Sequence, residues 1–133
     1  MALLVIAPFP EAPASASCAA PYLMDAEGRV LQRGATTTVE GRAFVNGCQD
    51  SMSCSAGCHA CEYDSPPETP IEDVRLQLAQ DGRTWDLDVA DAGTERNDQF
   101  GWVTWTFAVP ADATPGRARL IPEHGEPASI RIR

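Results

Sequence analysis

Between Gly101 and Pro110 the large apolar residues fall on every second position: Val103, Trp105, Phe107 and Val109 share one face, and Thr104, Thr106 and Ala108 share the other. A period of two built from β-branched and aromatic side chains buries one row and leaves the other in water, which a helix repeating about every 3.6 residues cannot do. Pro110 removes a ladder donor and ends the run. The segment is predicted to be a central strand of an all-β domain, with Trp102 turned away from the buried row and available to stack on a ligand.

Shorter patterns of the same kind recur along the chain. Val30 and Leu31 suit an edge strand, and residues 35–45 read as one strand with Thr37, Val39, Gly41 and Ala43, or the opposite set, facing in. Gly41 within it marks a bulge or a close approach. Residues 71–80 alternate with Val74, Leu76 and Leu78 inward, and Asp81-Gly82 is a hairpin turn. The returning strand, 84–89, places Trp85, Leu87 and Val89 on one face and Thr84, Asp86 and Asp88 on the other. A turn-rich corner at 110–116 precedes two more strands, 117–121 and 128–132, and His124 sits at the exposed hairpin tip between them. With 133 residues, 11 Pro and 10 Gly, the chain fits one turn-rich domain. The expected fold is a β-sandwich of about seven antiparallel strands, and an eight-stranded barrel is the structural alternative.

The formal charge is −9, with 19 acidic residues against 10 basic ones, all of them Arg, which disfavours nucleic acid as a partner. Residues 1–17 resemble a signal peptide: a short apolar run from Met1 to Ala7 precedes small residues and Ala14-Ser15-Ala16, an A-x-A-like cleavage site. The run lacks a basic start, so a first strand with a Pro-rich linker is the alternative, and it is far shorter than the about 20 residues that span a bilayer. Cys18 follows the small residues, where it is a candidate for lipidation or for an extra disulfide. Residues 18–29 are then a linker or an N-terminal strand, 30–133 the sandwich, and 46–66 a Cys-rich loop within it.

That loop holds Cys48, Cys54, Cys58, His59 and Cys61. In an exported chain two disulfides among its four cysteines are expected, in any of three connectivities, and they would rigidify a segment with few apolar residues. The alternative is a metal site from Cys54, Cys58, His59 and Cys61, with Met52 nearby for a soft ion, although the cysteines do not fall in two separated pairs. Cys54 to His59 also resembles a c-type haem attachment with one residue too many between the cysteines. Asp86, Asp88, Asp91, Glu95 and Asp98 lack calcium-loop spacing and are read as a solvated strand face and loop.

Several pieces, in order, resemble an immunoglobulin-like domain of exported actinobacterial proteins: residues 38–44 with Cys48 and Asp50, the 80–85 hairpin, 101–103 running to 109–111, and 115–120. The resemblance implies a secreted or cell-surface module and transfers no catalytic residue. No Ser/His/Asp arrangement, phosphate loop or cofactor fingerprint stands in a recognisable context. The expected function is therefore an exported, non-catalytic binding or structural module, without a cofactor, whose partner is a surface protein or a glycan. The alternative is a metal-handling or redox protein that uses the Cys48 to Cys61 loop.

Overall fold

The computed structural model describes residues 19–48, 67–95 and 98–133, and the backbone of 52–54 and 61–63. Among the described residues it is all-β. Twelve strands follow in order: β1 Tyr22–Met24, β2 Val30–Leu31, β3 Thr36–Arg42, β4 Val45–Asn46, β5 Met52–Cys54, β6 Cys61–Tyr63, β7 Thr69–Pro70, β8 Val74–Gln80, β9 Arg83–Ala90, β10 Val103–Ala108, β11 Gly116–Pro122 and β12 Ala128–Ile132. A three-stranded sheet has the order β1-β3-β10 and a five-stranded sheet the order β2-β12-β11-β8-β9. All pairings within them are antiparallel except β2 with β12. Two ribbons, β4-β7 and β5-β6, stand apart from these sheets, so the described strands outnumber the expected seven. The arrangement is consistent with a β-sandwich.

Alternation builds the core. Val103, Trp105 and Phe107 of β10 face Val74, Leu76 and Leu78 of β8, with Ala118, Leu120, Ile130 and Ile132 beside them in one buried cluster. Trp105 joins the two sheets: its ring is fully buried, its indole Nε1–H donates to the Val74 carbonyl at 2.9 Å, and Phe44 meets it edge-on with centroids 5.6 Å apart. A buried indole needs such an acceptor, because an unpaired N–H in an apolar interior is expensive. Gly41 is a close approach, since a Cβ there would lie 2.5 Å from the Phe44 ring and 3.0 Å from that of Trp105. The buried Gln80 amide exchanges bonds with Thr114 N–H at 2.8 Å and Thr114 carbonyl at 2.7 Å, which ties the 110–116 corner to β8.

Three local expectations are corrected. The 101–110 segment is central to the core, but β10 is an edge strand, paired only with β3. Its alternation reports that one face is buried and carries no information on how many neighbours it has. The strand expected over 35–45 ends at Arg42, because Ala43 adopts a positive φ of 65° and turns Phe44, not Ala43, into the core.

The third correction is in β9. The register with β8 shifts between Leu76 and Gln77: Gln77 faces Asp86 but Leu76 faces Asp88, so Leu87 is an extra residue. A bulge of this kind reverses the sidedness beyond it. Val89 is therefore turned outward, 48% exposed, and Asp88 is brought half-buried to the sheet edge. There its carboxylate accepts from Thr106 N–H of β10 at 3.0 Å and from Val89 N–H at 2.8 Å. One side chain thus satisfies an edge donor across the gap between sheets that do not pair, and the closed barrel does not form.

Candidate functional site

The outer face of the three-stranded sheet carries a row of residue types that interfaces favour. Tyr22 pairs with Arg42 across β1 and β3, and the β3–β10 register puts Trp102 on Arg42's other side. Tyr22, Met24 and Trp102 are about as exposed as one another, at 40%, 38% and 40%. The Arg42 guanidinium lies 3.5 Å from the centre of the Trp102 ring. It also donates to the Gly41 carbonyl at 3.3 Å and to Glu40 at 3.2 Å, and its side chain is only 13% exposed. Arg42 is a spent cation: its charge is neutralised and its plane is used to hold the indole in one orientation.

The outer face of the five-stranded sheet differs. Arg117 of β11 stands directly opposite Arg131 of β12, and Arg119 opposite Ser129. All three arginines are exposed, and none of their side chains has a hydrogen bond or ion pair with a described residue. They line a shallow basin of about 750 Å³ together with Ser129, Thr84 and Ala79. Arg83, Glu27 and Asp81 edge it. Arg83 is engaged, bonded to the Asp112 carboxylate at 2.6 Å and lying 4.5 Å from the Trp85 ring centre. That hydrogen bond is the main reason the Asp112 carboxyl is held below its ordinary value. Glu27 is engaged too, accepting from Ser129 N–H at 2.9 Å.

The sequence contains the signal for this basin in the outward positions of 117–121 and 128–132, but each strand taken alone shows ordinary solvated arginines. Only register turns Arg117 and Arg131 into neighbours.

Of the residues singled out from the sequence, Trp102 is placed on the outer face as expected. Asp86 accepts from the Gln77 amide at 2.7 Å, Asp91 accepts from Asp73 N–H at 2.8 Å, and His124 sits at the exposed β11–β12 turn. Residues 1–17, Cys18, Cys58 and His59 lie outside the described residues, as do the side chains of Met52, Cys54 and Cys61. The β5–β6 backbone register sets Cys54 directly opposite Cys61. Cys48 is half-buried and is not a free thiol. No helix among the described residues is long and apolar enough to cross a membrane.

Comparison with known proteins finds no matching family model, no similar curated protein and no similar solved structure. The function must therefore be argued from the surfaces themselves.

Proposed function

We propose that this chain is an exported, non-catalytic binding module with an immunoglobulin-like fold, and that the outer face of its three-stranded sheet stacks a neutral sugar ring of a cell-surface glycan on Trp102. The observation that carries the proposal is the state of Trp102, which is 40% exposed yet held by a largely buried guanidinium. An aromatic plate fixed before the ligand arrives loses little entropy on binding, and Tyr22, Thr104 and Glu40 around it supply partners for sugar hydroxyls.

The immunoglobulin-like assignment is supported by strand order. With β3, β8, β10, β11 and β12 read as strands B, C, E, F and G and β9 as C′, the sheets follow the A-B-E and G-F-C-C′ neighbour order of that fold, and the first strand is divided between them as β1 and β2. Two features depart from it: the buried Trp is on the E-like strand, and no cysteine stands on β3 or β11. Export is supported by the order of residues 1–17 and by the density of cysteines.

The Cys-rich segment is a disulfide-stapled loop in this proposal. Directly opposed residues of an antiparallel pair have Cα atoms about 4.5–5.5 Å apart, within the range a disulfide bridges, which favours Cys54 with Cys61. Peptide mapping without reduction checks it: a linked Cys54–Cys61 peptide is expected, and stoichiometric zinc or copper with thiols that alkylate without prior reduction once the metal is removed would instead move the function onto the loop.

Affinity electrophoresis through gels containing neutral dextran, mannan or galactan tests the binding itself. Retardation by at least one of them, abolished in Trp102→Ala and retained in Thr36→Ala, is expected. Equal retardation of the Trp102→Ala protein, or none in any gel, would sink the proposal.

A further inference from the structure

We infer that the basin on the five-stranded sheet is a second, independent binding site, and that its ligand is a glycan carrying sulfate or phosphate esters. It goes beyond the Trp102 platform, because the two surfaces lie on opposite outer faces of the molecule and share no residue.

The first reason is that the guanidiniums are available. Four arginines of the described chain are engaged: Arg42 with Glu40, Arg83 with Asp112, Arg29 with the Thr38 carbonyl at 2.8 Å and Thr37 hydroxyl at 3.0 Å, and Arg33 with the Arg133 carbonyl. Among the described residues the side chains of Arg117, Arg119 and Arg131 have no such partner; those of Arg75 and Arg133 have none either, but they stand outside the basin on which the three converge. Moreover, Arg117 and Arg131 are directly opposed, and like charges in that position repel and weaken the sheet. Acidic residues are plentiful in the chain, and no described one pairs with them.

The second reason is spacing. Opposed residues lie about 5 Å apart and alternate residues on one strand about 6.7 Å apart, so Arg117, Arg119 and Arg131 form a triangle suited to anionic groups repeated along a chain. Each guanidinium is a planar fork that matches a tetrahedral oxyanion with two parallel N–H···O bonds.

The third reason is what the basin lacks. Between the arginines its lining contains the hydroxyls of Ser129 and Thr84 and the methyl of Ala79, with Glu27 and Asp81 at the edge, while Ala118 and Ile130 face the core. The lining offers no exposed aromatic or large aliphatic side chain for a protein partner's anchor to pack on, whereas hydroxyls beside cations suit an esterified sugar. The overall charge of −9 does not forbid such a ligand. At physiological ionic strength acidic groups more than about 8 Å away are screened, and within the basin three arginines without a side-chain partner among the described residues stand against Asp81 and Glu27, the latter bonded to Ser129 N–H.

The test titrates the full chain with fluorescent dextran sulfate and phosphorylated dextran, with neutral dextran, double-stranded DNA and polyglutamate as comparisons, over a range of salt concentrations. Binding to at least one esterified dextran is expected in the parent and in Trp102→Ala alike, with no binding of neutral dextran by Trp102→Ala, the tighter of the two esterified dextrans naming the ester, and with affinity falling as salt rises. Arg119→Gln and Arg131→Gln should each weaken it about tenfold, the loss of one charged hydrogen-bonded contact. Arg75→Gln, an exposed arginine on the same sheet outside the basin, should change it less than about twofold. Trp102→Ala should leave it unchanged, so failure at one surface is read separately from failure at the other. Absence of binding to either esterified dextran, equal weakening by Arg75→Gln, or equally tight binding of DNA or polyglutamate would overturn the inference.

Discussion

The two outer faces of the molecule use the same residue type in opposite states. On the three-stranded sheet Arg42 is neutralised by Glu40 and pressed against Trp102, so its role is spent inside the structure. On the five-stranded sheet Arg117, Arg119 and Arg131 are exposed and have no side-chain partner among the described residues, two of them set against each other. Identity as a basic residue therefore says little. An arginine that stabilises the fold is already used, and an arginine that strains it is available to a ligand.

The contrast can be broken most severely from within, at the residue that holds the two sheets to each other. Trp105→Ala removes a fully buried ring and the bond to Val74, and should lower stability by about 3–5 kcal/mol, read as a shifted midpoint in urea. Gly41→Ala inserts a methyl where the Phe44 ring already sits, and a loss of about 1–3 kcal/mol is expected from the same titration. Both faces should fail together in either variant.

A sharper comparison sets the arginines themselves against one another. Arg42→Gln gives up an ion pair and a stacked cation and should destabilise by about 1 kcal/mol. Arg131→Gln relieves repulsion from Arg117 and should stabilise by a few tenths of a kcal/mol, about 0.2–0.5, with the gain shrinking as salt is added. Opposite signs in chemical denaturation are the expected result. The same sign for both would dissolve the distinction between a used and an available arginine.

The smallest effect concerns Arg83 and Asp112, an engaged pair at the basin edge. Because the folded Asp112 carboxyl is held below its ordinary value, its contribution is present above that value and is lost as pH falls through the folded one. Both groups are in water, so the contribution to stability is slight. Arg83→Ala should return the Asp112 titration, followed by NMR, upward to the ordinary carboxylate range.

Much of the fold is legible in the sequence because burial of one sheet face imposes a period of two. The alternation of 103–109 and of Val74, Leu76 and Leu78 identified core rows that the structure packs together, and Asp81-Gly82 identified the hairpin, both residues there having positive φ. Leu87 shows where that legibility stops. Its apolar neighbours continue the alternation through Val89, yet the bulge turns Val89 out and sends Asp88 to Thr106. A bulge depends on what the partner strand and the facing sheet require, and the local sequence carries no record of it.

The same division holds for the binding surfaces. By itself the sequence determined an all-β chain, the strand faces that are buried, the exposure of Trp102, and an acidic chain whose only basic residue type is Arg, since each follows from local pattern and composition. Only the tertiary structure decided that β10 lies at an edge, that Arg42 covers Trp102, and that Arg117, Arg119 and Arg131 gather around one basin. The physical reason is register: which strands pair, and at which offset, is set by long-range packing between segments far apart in the chain, and it is register that turns separate side chains into a site.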